Sequence, residues 1–279
     1  MLLRFTKMHG LSNDFMMVDL ISQRARINER TIRELSNRKT GVGFDQLLTV
    51  TPPDDPEADF RYTIYNADGS EAEQCGNGAR CLMRFVQDQG LTTKSLINLQ
   101  TRTGIITCQL EKDGNVKVNM GAPRLHPDRI PFIADTPKIL YQLNLPGSQE
   151  KISLAVVNVG NPHAIISVDN IETAPVSYLG PVIESHQRFP KKVNVGFMQI
   201  LSRKHLKLRV YERGVGETQA CGTGACAALV AGRLQGLLDE KVEVDLPGGK
   251  LCLSWSGEDQ PISMTGPACR IYEGRLQIS

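Results

Sequence analysis

The sequence predicts an α/β protein built from two similar domains, and the first observation behind this is an internal repeat. Two short motifs, 146 positions apart (221 − 75), read Cys75-Gly76-Asn77-Gly78-Ala79 and Cys221-Gly222-Thr223-Gly224-Ala225. The same offset also relates Tyr65 to Tyr211 and Glu71 to Glu217. The second observation is length, since 279 residues are enough for two domains that each bury a core. We therefore interpret the chain as a duplication with one thiol in each half.

The predicted elements around the two motifs correspond in order. Apolar and polar residues alternate over 60–65 and over 206–211, which predicts a half-buried strand before each motif. Apolar residues then recur at helical spacing up to Val86 and run almost without interruption over 225–231, which predicts two helices, the second more deeply buried. Gly90 and Gly236 are expected to end these helices. Residues 120–123 and 265–268 also form similar short motifs, so the repeat covers most of each half.

Composition and charge narrow the class of protein. A formal net charge of +2 gives no reason to expect nucleic acid or an anionic membrane surface as a partner. The first ten residues include Arg4 and Lys7 and no long apolar core, and no uncharged run is long enough to span a bilayer. We therefore expect a cytoplasmic protein.

The seven cysteines indicate reduced thiols rather than a disulfide framework, since an odd number cannot all pair within one chain. No cysteine and histidine spacing typical of structural zinc is present, so we expect no metal. Likewise, no dinucleotide fingerprint or phosphate-binding loop supports nucleotide binding. Five cysteines are expected to be small buried side chains: Cys81, Cys108, Cys226, Cys252 and Cys269.

Cys75 and Cys221 differ because each precedes a glycine-punctuated helix start. Free backbone N–H groups at such a start favour an anion and would also favour a thiolate. Inverting a carbon that carries hydrogen needs a base on one face and an acid on the other, and two thiols from two halves suit that task. The alternative is a pair of ordinary helix caps with incidental cysteines, which leaves the repetition unexplained.

At these residues the sequence closely resembles the diaminopimelate epimerase family, from end to end. The motifs that carry the resemblance are 9–15, 43–46, 66–70, 75–78, 160–163, 193–195, 211–214 and 221–224. The resemblance implies a cofactor-independent epimerase that interconverts LL- and meso-diaminopimelate, in lysine and peptidoglycan precursor biosynthesis. It also implies two pseudo-symmetric domains, each a barrel-like, mostly antiparallel β-sheet around a central helix, with the active site in the cleft between them. We expect the domains at 1–122, joined by the C-terminal strand 271–279, and at 123–270.

Carried over position by position, the resemblance makes Cys75 and Cys221 the acid–base pair, with His163 and Glu212 as groups that influence thiol protonation. It implies a homodimer, with Tyr272 at the dimer interface. The implied substrate contacts are Asn13, Gln46, Asn66, Gly76, Asn77, Asn161, Asn194, Glu212, Arg213, Gly222 and Thr223. This set is chemically suitable, because a substrate with two amino-acid ends needs amide oxygens and a carboxylate for ammonium groups, and N–H or guanidinium donors for carboxylates. We expect Arg213 to bind the distal carboxylate.

Several alternatives stay open from the residues alone. Asn13 and Asn161 adjoin glycine-rich turns and are compatible with a turn-forming role, Glu212 could be a surface carboxylate paired with Arg213, and His163 could simply end a loop. Rival functions are a thiol hydrolase using Cys221 and His163, a proline racemase or hydroxyproline epimerase, and a redox sensor in which the two thiols form a disulfide. One departure from the family is Ser12, where glycine is common; serine would be strained if φ is positive there.

Overall fold

The computed structural model describes residues 2–72, 75–146 and 151–278. The chain forms two compact units. The first contains residues up to 119 together with those from 265 onwards, and the second contains residues 120–264.

The first unit is dominated by strands, with two helices. Its elements in the N-terminal part of the chain are β1 (Leu2–Gly10), β2 (Asn13–Asp19), α1 (Glu29–Ser36), β3 (Gln46–Thr51), β4 (Phe60–Asn66), β5 (Glu71–Ala72), α2 (Gly76–Asp88), β6 (Leu96–Thr101), β7 (Gly104–Leu110) and β8 (Val116–Asn119).

The second unit repeats this order after a short 3-10 turn at Pro127–Arg129. Its elements are β9 (Tyr141–Asn144), β10 (Lys151–Asn158), β11 (Pro162–Ser167), α3 (Val176–Glu184), β12 (Asn194–Ser202), β13 (His205–Glu212), β14 (Gly216–Thr218), α4 (Gly222–Leu234), β15 (Lys241–Leu246) and β16 (Gly249–Ser254). The chain then continues through β17 (Ser263–Gly266) into β18 (Cys269–Gln277).

Strand pairing confirms the duplication that the sequence predicts. From β1 to β4, neighbouring strands are antiparallel, parallel and antiparallel in turn, and β4 is parallel to β6, which is antiparallel to β7. The series β10, β11, β12, β13, β15 and β16 repeats these directions step for step. The first strand of each series takes one further antiparallel neighbour, β18 beside β1 and β9 beside β10. Each unit is thus a mostly antiparallel sheet with the same topology.

One helix lies at the centre of each unit. Ten residues of α2 and ten of α4 are buried, although each helix has only 13 residues. The helix α2 contacts strands from both ends of its unit's pairing order, and α4 does the same in the second unit. A helix that is buried over most of its length must be enclosed by the rest of its unit, which gives the barrel-like arrangement. Gly90 and Gly236 follow the helices with φ of 67° and 73°, so the predicted ends are confirmed.

Two glycines let each central helix start close to a strand. A Cβ on Gly78 would lie 3.0 Å from the Leu48 side chain, and one on Gly224 would lie 2.9 Å from the Val210 side chain. A second core on the other face of each sheet holds α1 or α3, with Ile32 of α1 in the first unit and Ile183 of α3 in the second. In the described residues, no helix combines the length and apolar character needed to cross a membrane.

The burial of the five remaining cysteines differs in part from the prediction. Cys81, Cys108 and Cys226 are buried, Cys252 is only partly buried, and Cys269 is exposed. Cys269 starts β18, a strand whose residues are mostly exposed and which has β1 on one side. The prediction for Cys269 was wrong because an apolar sequence context does not reveal how much of a strand other segments cover.

The hairpin between β1 and β2 shows the strain that Ser12 introduces. Gly10 pairs with Asn13, and the two loop residues, Leu11 and Ser12, have φ of 56° and 68°. This is the left-handed conformation that favours glycine, and a side chain there costs about 1 kcal/mol.

We expect Ser12→Gly to raise the free energy of unfolding by about 0.5–1 kcal/mol, measured by urea denaturation. Ser12→Ala keeps a Cβ and should leave stability near that of the wild type; equal effects of the two substitutions would contradict the strain argument.

Candidate active site

Each of the two central helices begins with a cysteine cap. Cys75 is the N-cap of α2, and its sulfur accepts the Gly78 N–H at 3.3 Å. Cys221 is the N-cap of α4, and its sulfur accepts the Gly224 N–H at 3.4 Å. Gly76 and Gly222 are the first helical residues. Both thiols therefore lie at the positive end of a helix dipole, which favours negative charge.

Around Cys75, the first unit gathers amide side chains. The Asn13 Oδ1 lies 3.6 Å from the Cys75 sulfur and accepts from the Asn77 Nδ2 at 3.4 Å. Asn13 in turn donates to the Asp45 carboxylate at 3.1 Å. Asn13, Asn77 and Cys75 are thus brought together, and the two side chains beside the sulfur are neutral amides.

Sheet register places two more predicted residues at one end of the first unit's strands. Gln46 starts β3 and pairs across the sheet with Phe15 on one side and with Asn66 on the other. The Gln46 Nε2 donates to the Asn66 Oδ1 at 3.0 Å. Asn66 ends β4, and Asn13 lies two residues before Phe15. The three polar residues therefore share the strand ends at which α2 begins.

The second unit has the equivalent positions but different chemistry. His163 pairs with Asn194 as Phe15 pairs with Gln46, so Asn161 corresponds to Asn13 and Asn194 to Gln46. Glu212 follows Tyr211, which pairs with Val195, and it occupies the place of Asn66. Titratable groups thus replace Phe15 and Asn66 beside the second thiol.

The Cys221 thiol is buried and contacts both Glu212 and Thr223. Its sulfur lies 3.5 Å from the Thr223 Oγ1, and the thiol hydrogen-bonds to the Glu212 carboxyl. Burial, and then the Glu212 charge, raise the pKa of Cys221 well above its usual value. Glu212 is not the surface partner of Arg213: the Thr218 hydroxyl donates to its Oε1 at 2.5 Å. Burial also raises the pKa of Glu212, although hydrogen bonds from Thr218 and Cys221 oppose the shift.

His163 is fully buried and joins the same group. Its Nε2 lies 2.9 Å from the Asn161 Oδ1 and 3.0 Å from the Thr223 Oγ1. Burial, with a smaller effect of the Arg213 charge, lowers the pKa of His163 to about 3. His163 is therefore neutral near pH 7.

The remaining predicted contacts are held by backbone groups. The Asn194 Nδ2 donates to the Pro162 carbonyl at 3.0 Å, and its Oδ1 accepts the Arg213 N–H at 2.9 Å. The Arg213 guanidinium donates to the Lys191 carbonyl at 3.0 Å. Tyr272 lies on β18, where its ring packs edge-to-face on Phe5 with centroids 6.0 Å apart. It is thus far along the chain from every other predicted site residue and belongs to a strand whose residues are mostly exposed.

Two groups in these networks were missed by the sequence interpretation. Thr218 holds Glu212, and Asp45 holds Asn13. Asp45 lies directly before Gln46, inside one of the motifs that carry the family resemblance, which was the available signal. Thr218 had no such signal, since only the pairing of β13 with β14 brings it to Glu212.

One group among the described residues has ligand types suited to a metal ion. His205, Glu243 and Asp245 have ligand atoms within 4.8 Å of one another. Lys250 already lies 2.6 Å from Glu243 and 3.4 Å from Asp245. None of these residues belongs to the predicted site, and the lysine neutralises the carboxylates that a cation would need.

Comparison with known proteins decides the family. The family model described as diaminopimelate epimerase matches residues 5–126 and 155–271. This chain belongs to the diaminopimelate epimerase family. Two relatives named diaminopimelate epimerase come from Ectopseudomonas mendocina strain ymp, 57% identical over all of both chains, and Acinetobacter baumannii strain AYE, 58% identical over all of this chain and 98% of the relative.

Solved structures of more distant proteins share the fold of this family member. A hydroxyproline epimerase from Agrobacterium vitis aligns with a TM-score of 0.72 at 14% identity, covering 99% of this chain and 92% of that one. A PhzF-family phenazine biosynthesis protein from Bacillus anthracis aligns with a TM-score of 0.68 at 17% identity, covering both chains fully. These likenesses show the fold alone. The full-length identity to diaminopimelate epimerases favours that activity over the hydroxyproline epimerase, hydrolase and redox-sensor alternatives.

Proposed function

We propose that this protein interconverts LL- and meso-diaminopimelate by a proton transfer between two thiols, Cys75 and Cys221, without pyridoxal phosphate or another cofactor. The observation that carries the proposal is the paired cap: each thiol sits at the N-terminus of a central helix, and its sulfur accepts an N–H there. The proposal requires the two sulfurs to face opposite sides of one stereocentre.

The chemistry balances without an outside reagent. One thiolate takes the α-hydrogen as a proton and becomes S–H, and the electron pair left on carbon delocalises into the neighbouring carboxylate. The opposite thiol then delivers its proton to the other face and becomes a thiolate. One thiol and one thiolate are present before and after, so the same site runs in either direction.

Stabilisation of the carbanion is the demanding step, because an α-proton beside a carboxylate is very weakly acidic. The first N–H groups of α2 and α4, at Gly76, Asn77, Gly222 and Thr223, are the donors proposed for the proximal carboxylate. The distal end would be recognised by the remaining polar set: Asn13, Gln46, Asn66, Asn161, Asn194, Glu212 and Arg213. In this scheme the Arg213 guanidinium turns from the Lys191 carbonyl to the distal carboxylate.

His163 and Glu212 would tune Cys221 rather than contact the α-carbon. Glu212 accepts a hydrogen bond from the Cys221 thiol and so stabilises the protonated thiol. A hydrogen bond donated by the Thr223 hydroxyl stabilises the thiolate instead. Glu212 and His163 would thus control the pKa of Cys221, whereas the side chains beside the Cys75 sulfur are the amides of Asn13 and Asn77.

Assembly and location follow the same family proposal. We place Tyr272 at a homodimer interface; it is 45% exposed, and Ile271 beside it is 53% exposed, on a strand whose residues are mostly exposed. All seven cysteines are free thiols, and a reducing compartment such as the cytoplasm would keep them so.

Isotope exchange tests the activity and the mechanism together. The reduced protein is incubated with LL-diaminopimelate in deuterated water, with no added pyridoxal phosphate or metal. We expect meso product and deuterium at the α-carbon, because the proton returned comes from a thiol that exchanges with solvent. Parallel incubations with proline and hydroxyproline should give no exchange. Absence of both meso product and deuterium with diaminopimelate would refute the proposal.

A further inference from the structure

Arg80 is a fully buried cation beside the first thiol, and the proposed mechanism gives it no part. It lies on α2, five residues after Cys75, with no exposed surface. It donates through Nη2 to the Asn77 Oδ1 at 2.9 Å and through Nε to the Pro267 carbonyl at 3.2 Å. Burying a guanidinium is costly unless its donors are well used, so its position next to Asn77 calls for a reason.

Arg80 is one end of a chain of hydrogen bonds that has a fixed direction. The Asn77 Nδ2 donates to the Asn13 Oδ1 at 3.4 Å, and the Asn13 Nδ2 donates to the Asp45 Oδ2 at 3.1 Å. A guanidinium can only donate, and a carboxylate can only accept. With a donor at one end and an acceptor at the other, neither amide can turn round without leaving two donors or two acceptors facing each other.

The carboxylate end is itself held in place. Arg38 donates to the Asp45 Oδ1 at 2.7 Å and to both oxygens of Asp14 at 2.8 Å. Although burial alone would raise it, hydrogen bonds from Arg38 and Lys7 hold the pKa of Asp14 well below its usual value. Asp45, the acceptor end of the chain, is therefore anchored by Arg38.

The consequence falls on Cys75. With both amides oriented, Asn13 presents a carbonyl oxygen to the sulfur, 3.6 Å away. A carbonyl oxygen accepts from S–H and opposes a thiolate, whereas an amide N–H in its place would favour the thiolate. The amide orientation of Asn13 thus decides which protonation state of Cys75 is stabilised.

We propose that Arg80 is a positioning residue for the Cys75 thiol: through Asn77 it keeps the carbonyl end of Asn13 on the sulfur and so stabilises the protonated thiol against the pull of the helix N-terminus. The proposal rests on the proposed function in one respect, since Cys75 is taken as one of the two acid–base thiols.

In the second unit, a different buried residue contacts the side chain two residues after the thiol. Cys226 stands at the position of Arg80 (80 + 146), and Thr223 stands at the position of Asn77. There the Oγ1 of Thr223, two residues after the N-cap Cys221, lies 3.0 Å from the Nε2 of the buried His163. Each thiol therefore has a buried group that orients the side chain two residues after it, and Arg80 serves the first thiol only.

Two other titratable groups of the described residues that face Cys75 are neutral in the range of the test. Burial raises the pKa of Tyr62 on β4 and of Cys81 on α2. Within the described ranges, the charged side chains of this network are Arg80 on the same helix and Asp45 beyond Asn13, with Asp14, Arg38 and Lys7 behind it.

The test measures the alkylation of each cysteine by iodoacetamide as a function of pH in the reduced full-length protein, with peptide mass spectrometry separating Cys75 from Cys221. Asp45→Asn removes the acceptor-only end in all samples, and Arg80→Gln and Arg80→Lys are compared in that background. Glutamine can present a donor or an acceptor to Asn77, whereas lysine can only donate. Loss of the Arg80 charge by itself raises the midpoint of a nearby thiol, because this charge lowers the pKa of Cys81 and Cys108. We expect the released Asn13 amide to outweigh this effect, so that Arg80→Gln lowers the Cys75 midpoint by about 0.5–1 pH unit relative to Asp45→Asn alone and Arg80→Lys leaves it in place.

The Cys221 midpoint is the internal control and should not move. Equal shifts with glutamine and lysine, or an unchanged or raised midpoint with folded Arg80→Gln, would overturn the proposal. A merely structural role changes the melting temperature without moving one midpoint, and a merely electrostatic role raises the midpoint. If the variants do not fold, neutron diffraction of the deuterated wild-type protein decides. Deuterium on Asn13 pointing to Asp45 supports the orientation, and deuterium pointing to the Cys75 sulfur refutes it.

The alkylation result is independent of turnover. An unchanged midpoint in a protein that epimerises diaminopimelate removes the role of Arg80 alone. A wild-type protein without isotope exchange removes the proposed function, whatever the midpoints show.

Discussion

Replacement of Cys75 or Cys221 by serine is expected to lower the epimerisation rate about ten-thousand-fold or more, while the protein stays folded. Serine keeps an oxygen that can accept the helix N–H in place of sulfur, and serine is among the preferred N-cap residues. Its hydroxyl is far too weak an acid to supply the thiolate that the proposed proton transfer needs. The measurement is the rate of meso product from LL-diaminopimelate, with the melting temperature of each variant alongside.

Alanine at the same positions separates capping from chemistry. Cys75→Ala and Cys221→Ala should lose the same activity and also about 1 kcal/mol of stability, because the cap acceptor is gone. Cys269→Ala is the matched control, since that thiol is exposed and outside the site. Turnover within tenfold of the wild type in either serine variant would contradict the two-thiol mechanism.

Glu212→Gln is expected to shift the titration of Cys221 to lower pH and to slow the direction in which Cys221 must donate a proton by about a hundredfold. In the wild type the Glu212 charge raises the pKa of Cys221, and the Glu212 carboxyl accepts a hydrogen bond from the thiol. Because Thr218 donates to the Glu212 Oε1, a glutamine would keep its oxygen there and turn its N–H to the sulfur. Both changes stabilise the thiolate, so the sign of the shift is downward.

The check is the alkylation midpoint of Cys221, read beside the initial rates from LL- and from meso-diaminopimelate. Glu217→Gln is a suitable control, because this carboxylate lies nearby on β14 and pairs with Arg209 instead. A Cys221 midpoint that stays in place or rises would show that Glu212 does not control this thiol.

Much of the candidate site could be predicted from the sequence because the repeat aligns its two halves. The offset that relates Cys75 to Cys221 also relates the strands before them, and strand register then brings Gln46 to Asn66 and His163 to Asn194. The family resemblance identified the residues expected to contact the substrate. Neither source could supply the Thr218 hydrogen bond or the burial of Arg80, because both depend on which distant segments pack together.

The same limit explains the one wrong prediction among the thiols. Cys108 and Cys269 have similar apolar neighbours in sequence, yet Cys108 is buried in β7 and Cys269 is exposed at the start of β18. Local sequence sets the strand, and the position of that strand in the sheet sets its exposure.

The amino-acid sequence by itself determined the duplication, the two helix starts and the thiol at each of them, because these depend on short-range spacing, glycine placement and a repeated pattern. Only the tertiary structure decided how the two thiols differ. Cys75 is surrounded by oriented amides, whereas Cys221 is buried against Glu212 and Thr223. The physical reason is that desolvation and hydrogen-bond direction come from groups distant in the chain, and these set the free energy of the charged sulfur.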